Sequence, residues 1–143
     1  MISAGLLYLA ALVPAEEAVA VALVAPPTVA VGKPIPAKIA MEIPDGFHIY
    51  AADETNGIPT EISWAGSSSN KATVNYPTPV PFESFGIKVR GYSHKIEVPV
   101  TVKPPKGAKG KLTLRFKVTT QSCNDSTCLP PQTVEVSAVT WIK

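Results

Sequence analysis

Apolar and polar residues alternate along most of this chain, and this period of two is the feature that most constrains its fold. Leu112, Leu114 and Phe116, for example, are separated by single polar residues. Successive side chains of a β-strand point to opposite faces, so such a run is typical of a strand with one buried face. The other runs of this kind are residues 37–43, 47–50, 62–64, 72–76, 96–102 and 134–138, and an apolar run at 18–25 adds a further strand candidate.

Turn-forming sequences separate the runs and exclude a helical bundle. The chain contains 15 prolines, scattered between the apolar runs, and Pro44-Asp45-Gly46 is one of several turn signals. At 143 residues the chain is long enough to bury a core as one domain. Seven to nine short strands with frequent turns and no convincing helix predict an all-β fold, a two-sheet β-sandwich.

Two local irregularities predict details of the strands. Val139 and Trp141 are both apolar although they follow Ala138 out of phase, which predicts a bulge or a strand that leaves its sheet. Pro99 interrupts the run at 96–102, which predicts that this strand lies at an edge or that the missing N–H falls at a non-bonding position.

The first 15 residues contain no charged side chain, and Glu16 follows them. The segment is shorter than the roughly 20 residues that a membrane-spanning helix needs. It has the length of the apolar region of a signal peptide, and Val13-Pro14-Ala15 could be the cleavage site, although no Lys or Arg precedes the segment. We therefore expect an export signal or tether at residues 1–15 and the folded domain at 16–143; a mis-set start or a buried first strand is the alternative.

The charge balance excludes one class of partner. The chain has 13 basic and 11 acidic residues, for a net charge of +2. A dedicated nucleic-acid-binding protein is more basic and carries its charge in patches. We therefore expect no nucleic-acid partner.

Cys123 and Cys128 are the two cysteines of the chain, and only four residues separate them. On the chain-entropy model a disulfide that closes a loop of about 6 residues stabilises a fold by about 2 kcal/mol, against about 4.7 kcal/mol for a 100-residue loop. A pair this close is well placed to open and close, as thiol–disulfide exchange requires. The spacing by itself leaves a structural disulfide and a redox pair both open.

A metal site is a weaker interpretation of the same residues. The two cysteines could join His48 and His94 in a Cys₂His₂ site, but the spacing is wrong for a zinc finger and both histidines lie within strand patterns. A copper carrier would need a cluster of ligands, and the chain has only two methionines. We expect no metal and no cofactor.

The cysteine loop resembles a known family. The segment from Cys123 to Pro131, with the sequence CNDSTCLPP, resembles the redox loop of the amino-terminal periplasmic domain of the thiol:disulfide interchange protein DsbD. The resemblance extends in order over roughly residues 30–140. The further segments that carry it are Ile43 to Tyr50, Gly57 to Thr60, Phe85-Gly86, Gly91-Tyr92 and Glu97 to Val100.

The resemblance implies an immunoglobulin-like sandwich in the periplasm or otherwise outside the cytoplasm. It also implies a thiol–disulfide oxidoreductase whose Cys123–Cys128 pair cycles between dithiol and disulfide. Thioredoxin-like proteins or domains would act as electron donor and acceptor. The family's full-length members continue into a membrane domain, so we expect a separately encoded membrane electron-transfer protein, unless this chain is a fragment of a longer membrane protein. The best-known members have five residues between the cysteines, where this chain has four.

The resemblance also assigns residues around the pair. A short loop with an aromatic residue shields the cysteines in that family, and here it matches residues 81–86, with Phe85 as the counterpart of the shielding residue and Phe82 and Glu83 beside it. Tyr50 falls where the family places an aromatic residue near the pair, and His48 takes the position of another. Because Asp125 disfavours a thiolate, we expect the pair to react slowly until a partner activates it.

We expect the partner to form its mixed disulfide with Cys128, and Cys123 to be the resolving thiol. The alternative from another class is a non-catalytic immunoglobulin-like binding or assembly module in which Cys123–Cys128 is a structural disulfide.

Overall fold

The computed structural model describes residues 17–143, and these residues form twelve β-strands and no α-helix. The expected all-β class is therefore confirmed. The strands are β1 (Ala20–Val24), β2 (Thr28–Val29), β3 (Ile35–Glu42), β4 (His48–Tyr50), β5 (Glu61–Trp64), β6 (Lys71–Val74), β7 (Val80–Ser84), β8 (Ile87–Tyr92), β9 (Lys95–Lys103), β10 (Gly110–Thr120), β11 (Ser122–Cys123) and β12 (Gln132–Ile142).

The strands form three four-stranded sheets. The first sheet has the order β1-β3-β9-β6, the second β2-β12-β10-β5 and the third β11-β4-β8-β7. The first two sheets pack face to face as an immunoglobulin-like sandwich, and one hydrophobic cluster joins them. The third sheet is an addition to the two sheets that the sequence predicts.

The alternation in the sequence explains the core. In β3, Ile35 and Ile39 are fully buried while Lys38 and Glu42 point to solvent. Strands β9 and β10 contribute in the same way, since every second residue faces the opposite sheet. The aliphatic and aromatic residues without exposed surface are Ile35, Ile39, Val98, Val102, Leu114 and Phe116, together with Ile49 of the third sheet.

The third sheet is buried on both of its faces near its centre. Ile49 of β4 and Tyr92 of β8 belong to the core of the sandwich. On the opposite face Tyr50, Val89 and Cys123 form a second, smaller cluster. Because β4 is buried on both sides, it lacks the one-sided exposure that marks the longer strands.

Strand β12 runs without a bulge, so the irregularity predicted near its end is wrong. Its pairing with β10 is continuous from Thr120↔Gln132 to Gly110↔Ile142, and Trp141 lies directly opposite Lys111. Thr140 and Ile142 are buried, whereas Val139 and Trp141 are 42% and 46% exposed. The two apolar side chains keep the phase of the strand and simply point outward.

The strand that contains Pro99 is not at an edge. β9 lies between β3 and β6 in the first sheet. Its pairing with β6 ends at Val74↔Val100, so Pro99 lies one residue past the paired stretch. The Pro99 carbonyl still accepts a hydrogen bond from the Asn75 N–H at 2.9 Å, and the missing N–H of Pro99 is tolerated because β6 has ended at this point.

The β10–β12 hairpin positions the cysteine loop. Eleven consecutive residue pairs join the two strands, and residues 121–131 form the loop that connects them. Leu114 and Phe116 anchor β10 in the core. The loop is therefore carried by the longest paired element in the described part of the chain.

The described residues contain no helix long and apolar enough to cross a membrane. The apolar segment at residues 1–15 lies outside the described residues.

Gly91 is predicted to be required for the close approach of β4 and β8. A Cβ atom on Gly91 would lie 1.9 Å from the carbonyl oxygen of Ile49. We expect Gly91→Ala to lower the free energy of unfolding by about 3 kcal/mol, because the two backbones must move apart. Urea unfolding followed by circular dichroism measures this loss.

Gly107→Ala is the matched control, since Gly107 has a φ of +82° and a Cβ atom added there would meet no atom within 4 Å. Left-handed backbone alone costs a non-glycine residue about 1–2 kcal/mol. A loss no larger in Gly91→Ala than in Gly107→Ala would contradict the proposed close approach.

Candidate functional site

Cys123 and Cys128 form a disulfide across a miniature hairpin. Their Cα atoms are 4.0 Å apart, and the two residues form an antiparallel bridge. The backbone bonds lie on either side of the pair, from Asn124 N–H to the Thr127 carbonyl (2.8 Å) and from Leu129 N–H to the Ser122 carbonyl (2.9 Å). The cysteines thus occupy a non-hydrogen-bonded position, where side chains of facing residues are closest.

Asn124 fixes the tip of the loop. Its side-chain oxygen accepts hydrogen bonds from the backbone N–H groups of Ser126 (3.0 Å) and Thr127 (2.8 Å). An asparagine that bonds the backbone two residues ahead builds a turn locally, without help from the core. The loop therefore holds the two sulfurs together through its own short-range bonds.

The two cysteines differ in exposure. Cys123 has no exposed surface, whereas Cys128 is exposed. Cys123 belongs to β11 and pairs with His48 of β4, which places it inside the third sheet. Of the two cysteines, only Cys128 can be approached by another protein.

One face of the third sheet surrounds the disulfide. Directly paired residues share a face, and so do residues two apart on a strand. One face is therefore defined by two strand pairs and one cluster. The pairs are Cys123↔His48 and Phe82↔Val89, and the cluster contains Tyr50, Val89 and Cys123. We call it the cysteine face; its described members are Cys123, His48, Tyr50, Val89, Phe82 and Ser84.

Tyr50 is the residue of this face that reaches the exposed cysteine. Its hydroxyl lies 4.0 Å from Sγ of Cys128 and shares a hydrogen bond of 3.1 Å with the hydroxyl of Ser84. Tyr50 is 2% exposed. Thr60 holds its backbone, because the Thr60 hydroxyl donates to the Tyr50 carbonyl at 2.6 Å. Gly57 covers the ring so closely that a Cβ there would lie 2.2 Å from Cε2 of Tyr50.

The rings of His48 and Phe82 pack against each other on the cysteine face. Their rings stack with centroids 4.7 Å apart and an interplanar angle of 10°. The ring of Tyr50 meets His48 edge-on at 5.6 Å. Burial lowers the pKa of His48, and the charge of Asp125 opposes this effect by raising it. His48 is only 5% exposed, so the neutral imidazole is the favoured form.

The turn between β7 and β8 is bound to the cysteine loop. Phe85 and Gly86 form its two central residues, with φ angles of +53° and +76°. Both signs are those of a type I′ hairpin turn, in which Asn-Gly is preferred, so a phenylalanine in the first position is strained. The Phe85 N–H donates to the Asp125 carbonyl at 2.9 Å, which ties the turn to the loop.

The predicted site residues divide into two groups. Tyr50 and Phe82 lie on the cysteine face beside Cys123. The ring of Phe85 is 55% exposed at the turn, and its role as a shield stays a prediction. Glu83 is exposed and pairs with Lys88, on the face that alternation turns away from the disulfide.

Ser84 is a site residue that the sequence did not reveal. It is 3% exposed, and its hydroxyl bonds Tyr50. Counting by two from Phe82 would have placed Ser84 on the same face, but a serine in a Pro-rich turn gives no signal of burial. His48, which the resemblance places near the pair, is buried on the same face.

Charged residues brace the segment that carries Gly57. Arg90 contacts Asp53 at 2.8 Å, and its backbone N–H donates to Glu54 at 2.8 Å. These hydrogen bonds lower the pKa of Asp53 and of Glu54. These contacts link β8 to the loop after β4. Gly57, which covers the ring of Tyr50, lies in that loop.

The comparison with protein families agrees with this geometry. The family model described as thiol:disulfide interchange protein DsbD, N-terminal, matches residues 10–140. The chain belongs to the DsbD N-terminal family. None of the curated proteins matches it.

Two solved structures share the fold. The N-terminal periplasmic domain of ScsB from Proteus mirabilis superposes with a TM-score of 0.60 at 20% identity, over 79% of this chain and 43% of that chain. A chain in the complex between the DsbD N-terminal and PilB N-terminal domains from Neisseria meningitidis superposes with a TM-score of 0.54 at 18% identity, over 88% and 86%. This chain thus spans less than half of the ScsB chain.

Within the DsbD N-terminal family fold, the disulfide of this chain lies in the loop that connects β10 and β12, where the small third sheet meets that loop. The expected family and fold are both confirmed.

Tyr50→Phe is predicted to change both the stability and the redox equilibrium of the pair. The variant leaves the buried Ser84 hydroxyl without its partner, so we expect a loss of about 1 kcal/mol in the free energy of unfolding. It also removes the hydroxyl 4.0 Å from Cys128. Equilibration against glutathione measures the reduction potential.

Tyr76→Phe is the control, because the Tyr76 hydroxyl accepts a bond from the Ile62 N–H and its ring packs against the core of the sandwich, not in the cluster that contains Cys123. It should cost similar stability and leave the potential unchanged. Equal shifts of the potential in both variants would rule out a direct effect of Tyr50.

The protein is predicted to lose stability as the pH falls below about 6.5. Because the pKa of His48 is lowered by folding, the unfolded chain binds a proton that the folded chain refuses. Stability is therefore full above the unfolded pKa of His48 and declines below it, by up to about 1.4 kcal/mol per pH unit. Urea unfolding over roughly pH 5 to 7.5 measures the slope.

We expect His48→Phe to flatten this slope and His94→Gln to keep it, since His94 is exposed. An unchanged slope in His48→Phe would assign the effect to other groups.

Proposed function

We propose that this protein carries out thiol–disulfide exchange outside the cytoplasm, and that it passes reducing equivalents from a thioredoxin-like donor to oxidised partner proteins. The observation that carries the proposal is the unequal exposure of the linked cysteines. A partner can attack the sulfur of the exposed Cys128, and the buried Cys123 then acts as the leaving and resolving sulfur. Membership of the DsbD N-terminal family supports the same chemistry.

Reduction of the protein begins at Cys128. A donor thiolate attacks Sγ of Cys128, the Cys123–Cys128 bond breaks, and its electron pair leaves on Cys123. The donor's second thiolate then attacks the donor sulfur of the mixed disulfide. Cys128 is released as a thiolate, and the donor is left oxidised.

Reduction of the acceptor runs through the same two sulfurs in reverse. The Cys128 thiolate attacks a disulfide of the oxidised partner, and one partner sulfur leaves as a thiolate. Cys123 next attacks Cys128, which restores the internal disulfide and releases the partner's second thiolate. Two electrons pass to the partner in each cycle.

The surroundings of the pair favour a selective carrier. Among the described members of the cysteine face there is no Lys or Arg to stabilise a thiolate, and Asp125 adds negative charge beside the loop. A docked partner would supply what the site lacks. Phe85 and Ile87, which are 55% and 51% exposed beside the loop, offer an apolar surface to such a partner.

The partner class is proposed from the comparisons. The Neisseria meningitidis structure is of a complex between DsbD and PilB N-terminal domains. We extend this to thioredoxin-like partners for the present chain, with a membrane electron-transfer protein as the source of electrons. The periplasmic origin of the ScsB domain and the apolar segment at residues 1–15 support an exported location, with 16–143 as the working domain.

Cys123→Ser is predicted to trap partners, and Cys128→Ser is not. The first variant keeps the exposed thiol and removes the one that would resolve a mixed disulfide. The second keeps only a thiol with no exposed surface. Incubation with an oxidised thioredoxin-like protein, followed by non-reducing electrophoresis, measures the amount of mixed disulfide, which we expect to be at least about tenfold greater for Cys123→Ser.

A structural disulfide is the competing function, and the same variants separate the two. If the bond only stabilises, neither variant traps a partner and both lose about 2 kcal/mol of unfolding free energy. Equal trapping by both variants would contradict the assigned order of attack.

A further inference from the structure

His48 lies directly opposite the buried cysteine. The register of β11 with β4 pairs Cys123 with His48. Side chains of directly paired residues in antiparallel strands project from the same face, with Cβ atoms about 4.5–5.5 Å apart. The imidazole and the Cys123 sulfur therefore share the cysteine face.

One nitrogen of this imidazole lacks a partner. Nε2 of His48 is buried and makes no hydrogen bond within the described residues. Buried polar atoms are nearly always hydrogen-bonded, so an orphan beside a reactive group needs an explanation. The ring is also held in place, because it stacks on Phe82 and meets the edge of Tyr50. A disulfide sulfur gives this nitrogen no proton to accept, but a Cys123 thiol would.

We propose that His48 is the proton acceptor for Cys123 in the step that closes the internal disulfide, and the proton donor to Cys123 in the step that opens it. The inference rests on the proposed exchange function and adds a residue to it.

The proton balance of the closing step follows from this role. Nε2 takes the proton of the Cys123 thiol, the resulting thiolate attacks Sγ of Cys128 in the mixed disulfide, and the partner's sulfur leaves with the electron pair. In the opening step His48 first takes a proton from solvent, and the imidazolium gives this proton to Cys123 as the thiolate leaves into a buried apolar cluster. After the closing step the imidazolium returns its proton to solvent.

The groups around His48 favour its role as the proton acceptor for Cys123. Asp125 of the cysteine loop is the charged group that acts on it, and Tyr50 of its own strand is the other titratable neighbour besides Cys123. Burial lowers the pKa of His48 and favours the neutral ring, which is the form that accepts a proton. The negative charge of Asp125 would stabilise the imidazolium once formed.

The reaction of the reduced protein with Ellman's reagent tests the role. The reagent reaches the exposed Cys128 first and releases one equivalent of thionitrobenzoate; closure by Cys123 then releases a second equivalent. Stopped-flow measurement of the second phase gives the closing rate directly. The comparison is between the wild type, His48→Phe, which keeps the ring stack, and His94→Gln, which alters the exposed histidine.

We expect His48→Phe to close about 100-fold more slowly than the wild type and His94→Gln to close at the wild-type rate. The pH profile gives a readout that a structural role would not move. The wild-type rate should level off once His48 is neutral, whereas the variant's rate should keep rising, about tenfold per pH unit, as the fraction of Cys123 thiolate grows.

Three outcomes would overturn the inference. An equal closing rate and pH profile in His48→Phe would remove His48 from the step and leave the proposed function standing. A second phase that is absent in the wild type would overturn the proposed function, and the role of His48 with it. If His48→Phe does not fold, His48→Gln replaces it, because an amide cannot take the proton, and a wild-type profile there would also overturn the inference.

Discussion

The continuous pairing of β10 with β12 determines where the two sulfurs lie. Eleven residue pairs without a bulge bring residues 121–131 out at one fixed end of the sandwich. The buried side chains of Leu114 and Phe116 hold β10 against the opposite sheet. A slip of one residue would turn these side chains to solvent, so the hydrophobic core also fixes the register of the hairpin. The position of the loop is therefore set by the packing of residues far from it.

The third sheet converts this position into a chemical difference between two identical side chains. Ser122 and Cys123 add to the edge of β4, so Cys123 is drawn into a sheet, while Cys128 stays on the outer strand of the miniature hairpin. One sulfur is thereby desolvated and the other remains accessible. The order of attack in an exchange reaction then follows from burial, and it needs no difference in the intrinsic reactivity of the two thiols.

The sequence predicted the sandwich well because its strands are long and exposed on one side. The runs at 96–102 and 112–118 alternate cleanly, and both are core strands. The third sheet escaped prediction for two physical reasons. β4 is buried on both faces, which removes the alternation of burial, and β11 has only two residues. Val139 and Trp141 led to the wrong prediction of a bulge in β12, because their exposed apolar side chains look in the sequence like a shift in the alternation of the strand.

The site residues could likewise be predicted only in part from the sequence. The cysteine pair and Tyr50 could be proposed from the sequence, because a family resemblance covers local motifs. The resemblance placed His48 near the pair, but its direct pairing with Cys123 could not be predicted, since this depends on a register between strands that lie more than 70 residues apart in sequence. Ser84 could not either, because a small hydroxyl residue is as common in turns as in buried networks.

The turn between β7 and β8 is held to the cysteine loop by the bond from the Phe85 N–H to the Asp125 carbonyl, which is worth about 1 kcal/mol. The left-handed backbone of Phe85 costs a similar amount, so the net stabilisation of this arrangement is small. Tyr50 is held by Thr60 and covered by Gly57, and it does not depend on this bond. On the proposed function, displacement of the turn by a docking partner would leave the buried half of the site in place.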